Sequence, residues 1–174
     1  MPGHSSPSFT PRVPAGDNRE RAVCDHCGFV DYVNPRIVVG VVCTWEGRFL
    51  LCRRAIEPRL GFWTIPAGFL EQGETPEEGA AREAVEEAGA DVAIDSLLGV
   101  YSVPRISQVQ MMFRGTLRSS RVAAGDESLE VRLTAWDEIP WDDLAFRSVV
   151  AALRHFDEVR GLASFPAFRL TLGA

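Results

Sequence analysis

Residues Gly68–Ala90 read GFLEQGETPEEGAAREAVEEAGA, and this stretch decides the fold. Thr75 is a good helix N-cap, Pro76 suits the first helical position, and Glu78 stands where a capping box needs it. Gly89 supplies the stop signal. The spacing predicts a helix over 76–88. Glu83 lies three residues before Glu86 and four before Glu87, so the three carboxylates are expected to crowd one face. Like charges at such spacings cost roughly 0.2–0.5 kcal/mol per pair. A hard divalent cation would reverse that repulsion, because it prefers oxygen ligands. Ala80, Ala84 and Ala88 are expected on the opposite face, where small side chains allow close packing on a sheet.

The stretch fits G-x5-E-x7-R-E-U-x-E-E-x-G-U, with U a bulky aliphatic residue. Gly68, Glu74, Arg82, Glu83, Glu86, Glu87 and Gly89 occupy every fixed charged and glycine position, while Ala84 and Ala90 stand at the U positions. The pattern resembles the Nudix box of the Nudix hydrolases, with weaker packing expected at the two alanines. The likeness extends to "YVNPRIVVGVV", "LLCRRAIEPRLGFWTIPAGFLEQGET", "GDESLEV" and "EIPWDDLAF". These resemble the subgroup with an N-terminal zinc ribbon, which includes FAD and ADP-ribose pyrophosphatases. The resemblance spans about 14–157. It implies an α/β fold, the Nudix α/β/α sandwich with a mixed β-sheet, preceded by a short degenerate zinc-ribbon-like segment.

Outside the box, the order of elements agrees with that fold. The β-branched run 37–45 reads as a central strand, Glu46-Gly47 as a hairpin turn, and 48–54 as the returning strand. Further strands are expected near 92–103, 108–118 and 129–136, then a helix near 146–157 and an edge strand in the tail. Residues 1–22 are rich in Pro, Ser, Gly and Arg and read as a flexible segment, mobile over at least the first dozen. Residues 23–35 read as a CxxC knuckle with a connecting strand, and 36–174 as the main domain.

A length of 174 residues suits one domain with a short appendage, and 46% hydrophobic residues suffice for a sizeable core. The net charge of −6 argues against a broad nucleic-acid-binding surface. No apolar run is long enough to span a membrane. The first 23 residues lack a signal peptide's apolar core, so a cytoplasmic location is expected. A homodimer is left open. Cys24 and Cys27 form C-x2-C followed by Gly28, half of a zinc ribbon. Zinc needs four ligands. The remaining candidates are His4 or a partner chain, because Cys43 and Cys52 lie in predicted strands and read as core. A metal-free ribbon is the expectation.

The resemblance also implies the chemistry: metal-dependent hydrolysis of a nucleoside diphosphate linked to another group, using Mg²⁺ or Mn²⁺. Glu83, Glu86, Glu87 and the Ala67 carbonyl would be metal ligands, with Glu74 supporting them and Arg82 orienting a box glutamate. The general base would lie within the box or on the downstream loop, where Glu127 and Glu130 are the candidates. Arg53 and Arg54 are candidates for phosphate contact. Pro104 lies near a downstream proline associated with ADP-ribose pyrophosphatases. Expected substrates are dinucleotides or nucleotide sugars such as FAD or ADP-ribose. Trp63, Tyr101 and Phe113 read as core more than as stacking residues. A Nudix-like nucleotide-binding regulator without turnover is the competing reading, and the intact acidic box weighs against it.

Overall fold

The computed structural model describes residues 8–173, so His4 lies outside the described residues. The chain divides into two compact units, 1–35 and 36–174.

In the smaller unit, β1 (Phe9–Arg12), β2 (Arg21–Cys24) and β3 (Val30–Asp31) form an antiparallel sheet in that order. The expectation of mobility is corrected over residues 9–12, where Phe9 pairs with Cys24 and Arg12 with Arg21, while 1–7 lie outside the described residues. A local polar turn accounts for the pairing. Asp17 accepts from the Asn18 and Arg19 backbone N–H groups and from Arg21 Nε at 2.9 Å. The Arg21 bond, then the Asn18 N–H, hold the Asp17 carboxyl below its ordinary range. Thr10 Oγ1 donates to Asp25 across the hairpin at 3.0 Å. Such local bonds let a Pro- and Arg-rich sequence offset its ordering entropy.

The larger unit is built on β4 (Arg36–Trp45), β5 (Arg48–Arg54), β6 (Trp63–Thr64), β7 (Ala67–Phe69), β8 (Val92–Val103), β9 (Gln108–Leu117), β10 (Ser128–Thr134) and β11 (Phe168–Thr171). The strand order is β10-β5-β4-β9-β8-β11, with β6 on β5 and β7 on β4. The sheet is mixed: β4 runs parallel to β9, β11 runs parallel to β8 at the edge, and the other pairs are antiparallel.

Two hydrophobic clusters form the core. One joins α1 (Pro76–Ala88) to Val39, Val41, Leu50 and Phe113. The other joins α2 (Arg147–Glu158) to Phe49, Leu51, Leu98 and Tyr101. Ala84 and Ala90 are fully buried, so the small residues at the bulky positions are absorbed by close approach. Trp63, Tyr101 and Phe113 are buried core residues, as are Cys43 and Cys52. Among the described residues no helix is long and apolar enough to cross a membrane.

Candidate functional site

Local sequence chemistry fixes both ends of α1. Thr75 Oγ1 accepts from the Glu78 N–H, and Glu78 accepts from the Thr75 N–H, completing the capping box. Gly89 ends the helix in the left-handed region at φ 57°. The helix lies so close to β4 that a Cβ on Gly79 would come within 3.0 Å of the Val39 side chain.

One expectation about this helix is overturned. The alanines do not lie opposite the carboxylates: Ala80, Ala84 and Ala88 are buried together with Glu83 and Glu87. Helical geometry gives the reason. Glu83 stands three residues after Ala80, and Glu87 three after Ala84, so the acidic and alanine stripes adjoin. The sheet that receives the alanines therefore buries two carboxylates as well. Glu83 is 8% and Glu87 5% exposed, while Glu86 faces outward.

Burial raises the Glu87 carboxyl to about 8, against a stabilising Ala67 N–H and with a further upward push from Glu83. Burial also raises Glu83, although Arg82 opposes the shift. Arg82 organises the cluster. Its Nη1 donates to Glu83 Oε1 at 2.8 Å and to Glu86 Oε2 at 2.9 Å. Its Nε and Nη2 bind both oxygens of Glu74 at 3.0 and 2.8 Å, and Nη2 also reaches the Phe69 carbonyl. Led by the Arg82 bond, these contacts hold Glu74 down at about 2. Glu74 thus faces Arg82 and the Glu71 N–H, one step removed from the buried carboxylates.

Each helical carboxylate gives one oxygen to a donor of this protein. For Glu83 and Glu86 it is Arg82, and for Glu87 it is the Ala67 N–H at 3.2 Å. The second oxygen of each has no such donor among the described residues. No three ligating side chains already converge in coordination geometry among the described residues. The donor chemistry nevertheless fits a hard divalent cation, being oxygen only, anionic and partly desolvated.

These groups line a cavity of about 930 Å³. The candidate residues divide there by strand alternation. Arg54 lines the cavity, whereas its neighbour Arg53 does not. Arg53 instead donates to the Gly61 carbonyl and lies 3.9 Å from Glu130. Glu127 lines the cavity and Glu130, opposite Arg53 on β10, does not. Pro104 starts a short 3-10 turn over 104–106 and is not a lining residue, although Ile106 is.

The loop carrying Glu127 is held by the end of α1. The Ala123 and Gly125 N–H groups donate to the Ala88 and Glu87 carbonyls at 2.8 and 3.1 Å. A Cβ on Gly125 would collide with the Glu86 carbonyl oxygen, so this loop requires glycine. The Glu127 carbonyl also accepts from the Ala55 N–H at 2.8 Å, fixing it next to Arg54.

Phe69, Gln108, Gln110 and Phe146 also line the cavity, and no motif in the sequence marks them. The sequence offers one signal, two glutamines at period-two spacing, Gln108 and Gln110, on one face of an expected strand.

The zinc chemistry of the smaller unit is half present. Cys24 is buried and Cys27 exposed. The Cys27 and His26 backbone N–H groups hold the Cys24 thiol below its ordinary range, as in a turn that cradles a sulfur anion. The knuckle supplies two thiol ligands where a tetrahedral site takes four.

Known proteins resemble this chain along most of its length. The NUDIX domain family matches residues 34–155, and the Nudix N-terminal zinc-ribbon family matches 6–33. A crystal structure of a NUDIX hydrolase from Nitrosomonas europaea superposes with a TM-score of 0.90 and 44% identity, covering 97% of this chain and 96% of that one. A MutT-like protein of Streptomyces ambofaciens is 38% identical over 125 residues, 71% of this chain and 76% of that protein. An ADP-ribose pyrophosphatase of Methanocaldococcus jannaschii is 33% identical over 113 residues, 63% of this chain and 67% of that protein. With its acidic capped helix, its mixed sheet and these relatives, the chain belongs to the Nudix hydrolase family.

Proposed function

We propose that this hydrolase cleaves the diphosphate bond of a nucleoside diphosphate linked to a second group, releasing two monophosphates, and that ADP-ribose represents its substrate class. The observation that carries this reading is the pair of buried carboxylates, Glu83 and Glu87, in a cavity that also holds Arg54 and Glu127. Glu83 shares its one cation, Arg82, with Glu74 and Glu86, and Glu87 has no cation in ion-pairing range among the described residues, so the cluster is short of positive charge. A site that retains these carboxylates gains from binding positive charge. The similarity to an ADP-ribose pyrophosphatase supports the substrate class.

Glu83, Glu86, Glu87 and the Ala67 carbonyl would hold Mg²⁺ or Mn²⁺. When bound, such an ion neutralises the diphosphate and favours attack by water. Arg82 keeps Glu83 and Glu86 oriented through charge-assisted bonds while Glu74 fixes Arg82 in turn. Arg54 contacts a phosphate oxygen. Glu127 accepts a proton from the attacking water as its oxygen bonds to phosphorus. The bridging P–O bond breaks, and the second monophosphate leaves with the bridging oxygen. Glu130 and Arg53 pair with each other at the outer edge and take no part.

Hydrolysis assays on ADP-ribose, FAD, NADH and diadenosine polyphosphates, with and without Mg²⁺ or Mn²⁺, test the reading. Turnover confined to metal-containing reactions and strongest on ADP-ribose supports it. No turnover of any of these compounds refutes it.

A further inference from the structure

We infer that Phe69, Gln108 and Gln110 form the base-recognition wall of the cavity and select an adenine ring. This inference deepens the function proposed above and rests on it. Sheet register gathers the residues: Val38 of β4 pairs with Phe69 of β7 on one side and with Gln110 of β9 on the other. Gln108 follows two residues before Gln110, so both side chains belong to the same sheet face. Val38, Phe69, Gln108 and Gln110 all line the cavity that holds the acidic cluster.

The wall offers two kinds of contact. Phe69 is 43% and Ile106 46% exposed, so both keep apolar surface open at the cavity. The Arg36 guanidinium lies 5.5 Å from the Phe69 ring centroid and steadies it. A flat heterocycle packed there would remove both apolar groups from water.

The glutamines supply polarity. Gln110 Nε2 donates to Gln108 Oε1 at 3.1 Å. Gln110 Oε1 is buried and has no hydrogen-bond partner among the described residues. An unpartnered buried acceptor is costly, so the Gln110 amide gains by turning its oxygen toward an N–H of a cavity ligand. Gln108 Nε2, with its oxygen engaged by Gln110, remains a donor. Between them the two linked amides offer one acceptor and one donor, which complement an exocyclic amine and a ring nitrogen. Adenine carries that edge, and glutamine is a common partner for it.

Equilibrium binding separates this proposal from the hydrolytic one. The probes are the α,β-methylene analogue of ADP-ribose and its counterpart lacking only the 6-amino group, each titrated with Mg²⁺ present. The unmodified protein should bind the amino compound about tenfold more tightly. Gln110→Leu should bind both compounds equally, because the acceptor is gone. Phe69→Leu should weaken both by a similar factor and retain the preference. Equal affinity of the two probes for the unmodified protein, failure to bind either, or a preference that survives in Gln110→Leu would each overturn the inference. Turnover of ADP-ribose is read in a separate assay and can stand in each of those cases, so the two proposals fail separately.

Discussion

A Cβ placed on Gly68 would collide with the carboxylate of Glu83. The first glycine of the acidic motif is therefore tied sterically to its first buried glutamate, 15 residues later. The obstructing group is the end of a flexible side chain, so the backbone need not yield. Gly68→Ala is expected to shift the melting temperature by only a few degrees, and to cut hydrolysis by at least about tenfold because Glu83 is displaced. Circular dichroism melting and initial rates on the same preparation check this. A variant as active as the parent would show that Glu83 need not occupy its observed position.

Buried Glu87 makes stability depend on pH in a direction that can be worked out. Its folded-state carboxyl is raised from 4.5 to about 8. Between those values the folded state binds more protons than the unfolded one, so stability falls as pH rises. Glu83, also raised, acts in the same sense. His155, lowered from 6.5 by burial, acts in the opposite sense and only below that value. Between about pH 7 and 8 the glutamates therefore set the slope, with only the lowered Cys24 thiol acting in the opposite sense. Chelator-treated protein should lose melting temperature across that window, Mg²⁺ should restore it, and Glu87→Gln should flatten the slope. A flat profile in the unmodified protein would contradict the burial of an unpaired carboxyl.

Arg82 should be structural and functional at once. It binds Glu74, Glu83, Glu86 and the Phe69 carbonyl. Arg82→Ala leaves those acceptors without their shared cation and should cost about 2–4 kcal/mol in denaturant unfolding. Arg82→Lys should recover only part of this, because one ammonium cannot span the same four partners. Full recovery with lysine would mean that net charge, and not fork geometry, is what the position requires.

The knuckle should hold little zinc. Cys24 and Cys27 supply two thiols, while Cys43 and Cys52 are buried in strands, with Cys43 pushed up to about 12 by desolvation. Purified monomer should contain well under one equivalent of zinc by elemental analysis, and Cys24→Ser should leave hydrolysis largely unchanged. A stoichiometric zinc signal, lost together with folding in Cys24→Ser, would show that further ligands complete the site.

Much of this architecture is legible in the sequence where local chemistry dictates it. Thr75, Pro76, Glu78 and Gly89 mark both ends of α1, and the β-branched run before Glu46-Gly47 marks the central hairpin. Helical spacing, read with care, also places Ala84 beside Glu87. What stayed hidden depends on register between distant strands. Nothing local to Arg53 and Arg54 tells which one turns to the cavity, because that is set by pairing with β10. Likewise Phe69 and Gln110 meet only through Val38, which lies between them in the sheet. The pairing of Phe9–Arg12 was masked by composition, since a single Asp17-centred turn stabilises a segment otherwise rich in Pro and Arg.

The most direct test is product analysis of ADP-ribose hydrolysis by the unmodified protein and by Glu86→Gln and Glu87→Gln, with Mg²⁺ and with excess chelator. The account predicts AMP and ribose 5-phosphate in equal amounts, no product with chelator, and rates lowered by about 100-fold or more in both folded variants. Turnover that survives chelation, or variants that match the unmodified protein at limiting Mg²⁺, would contradict it.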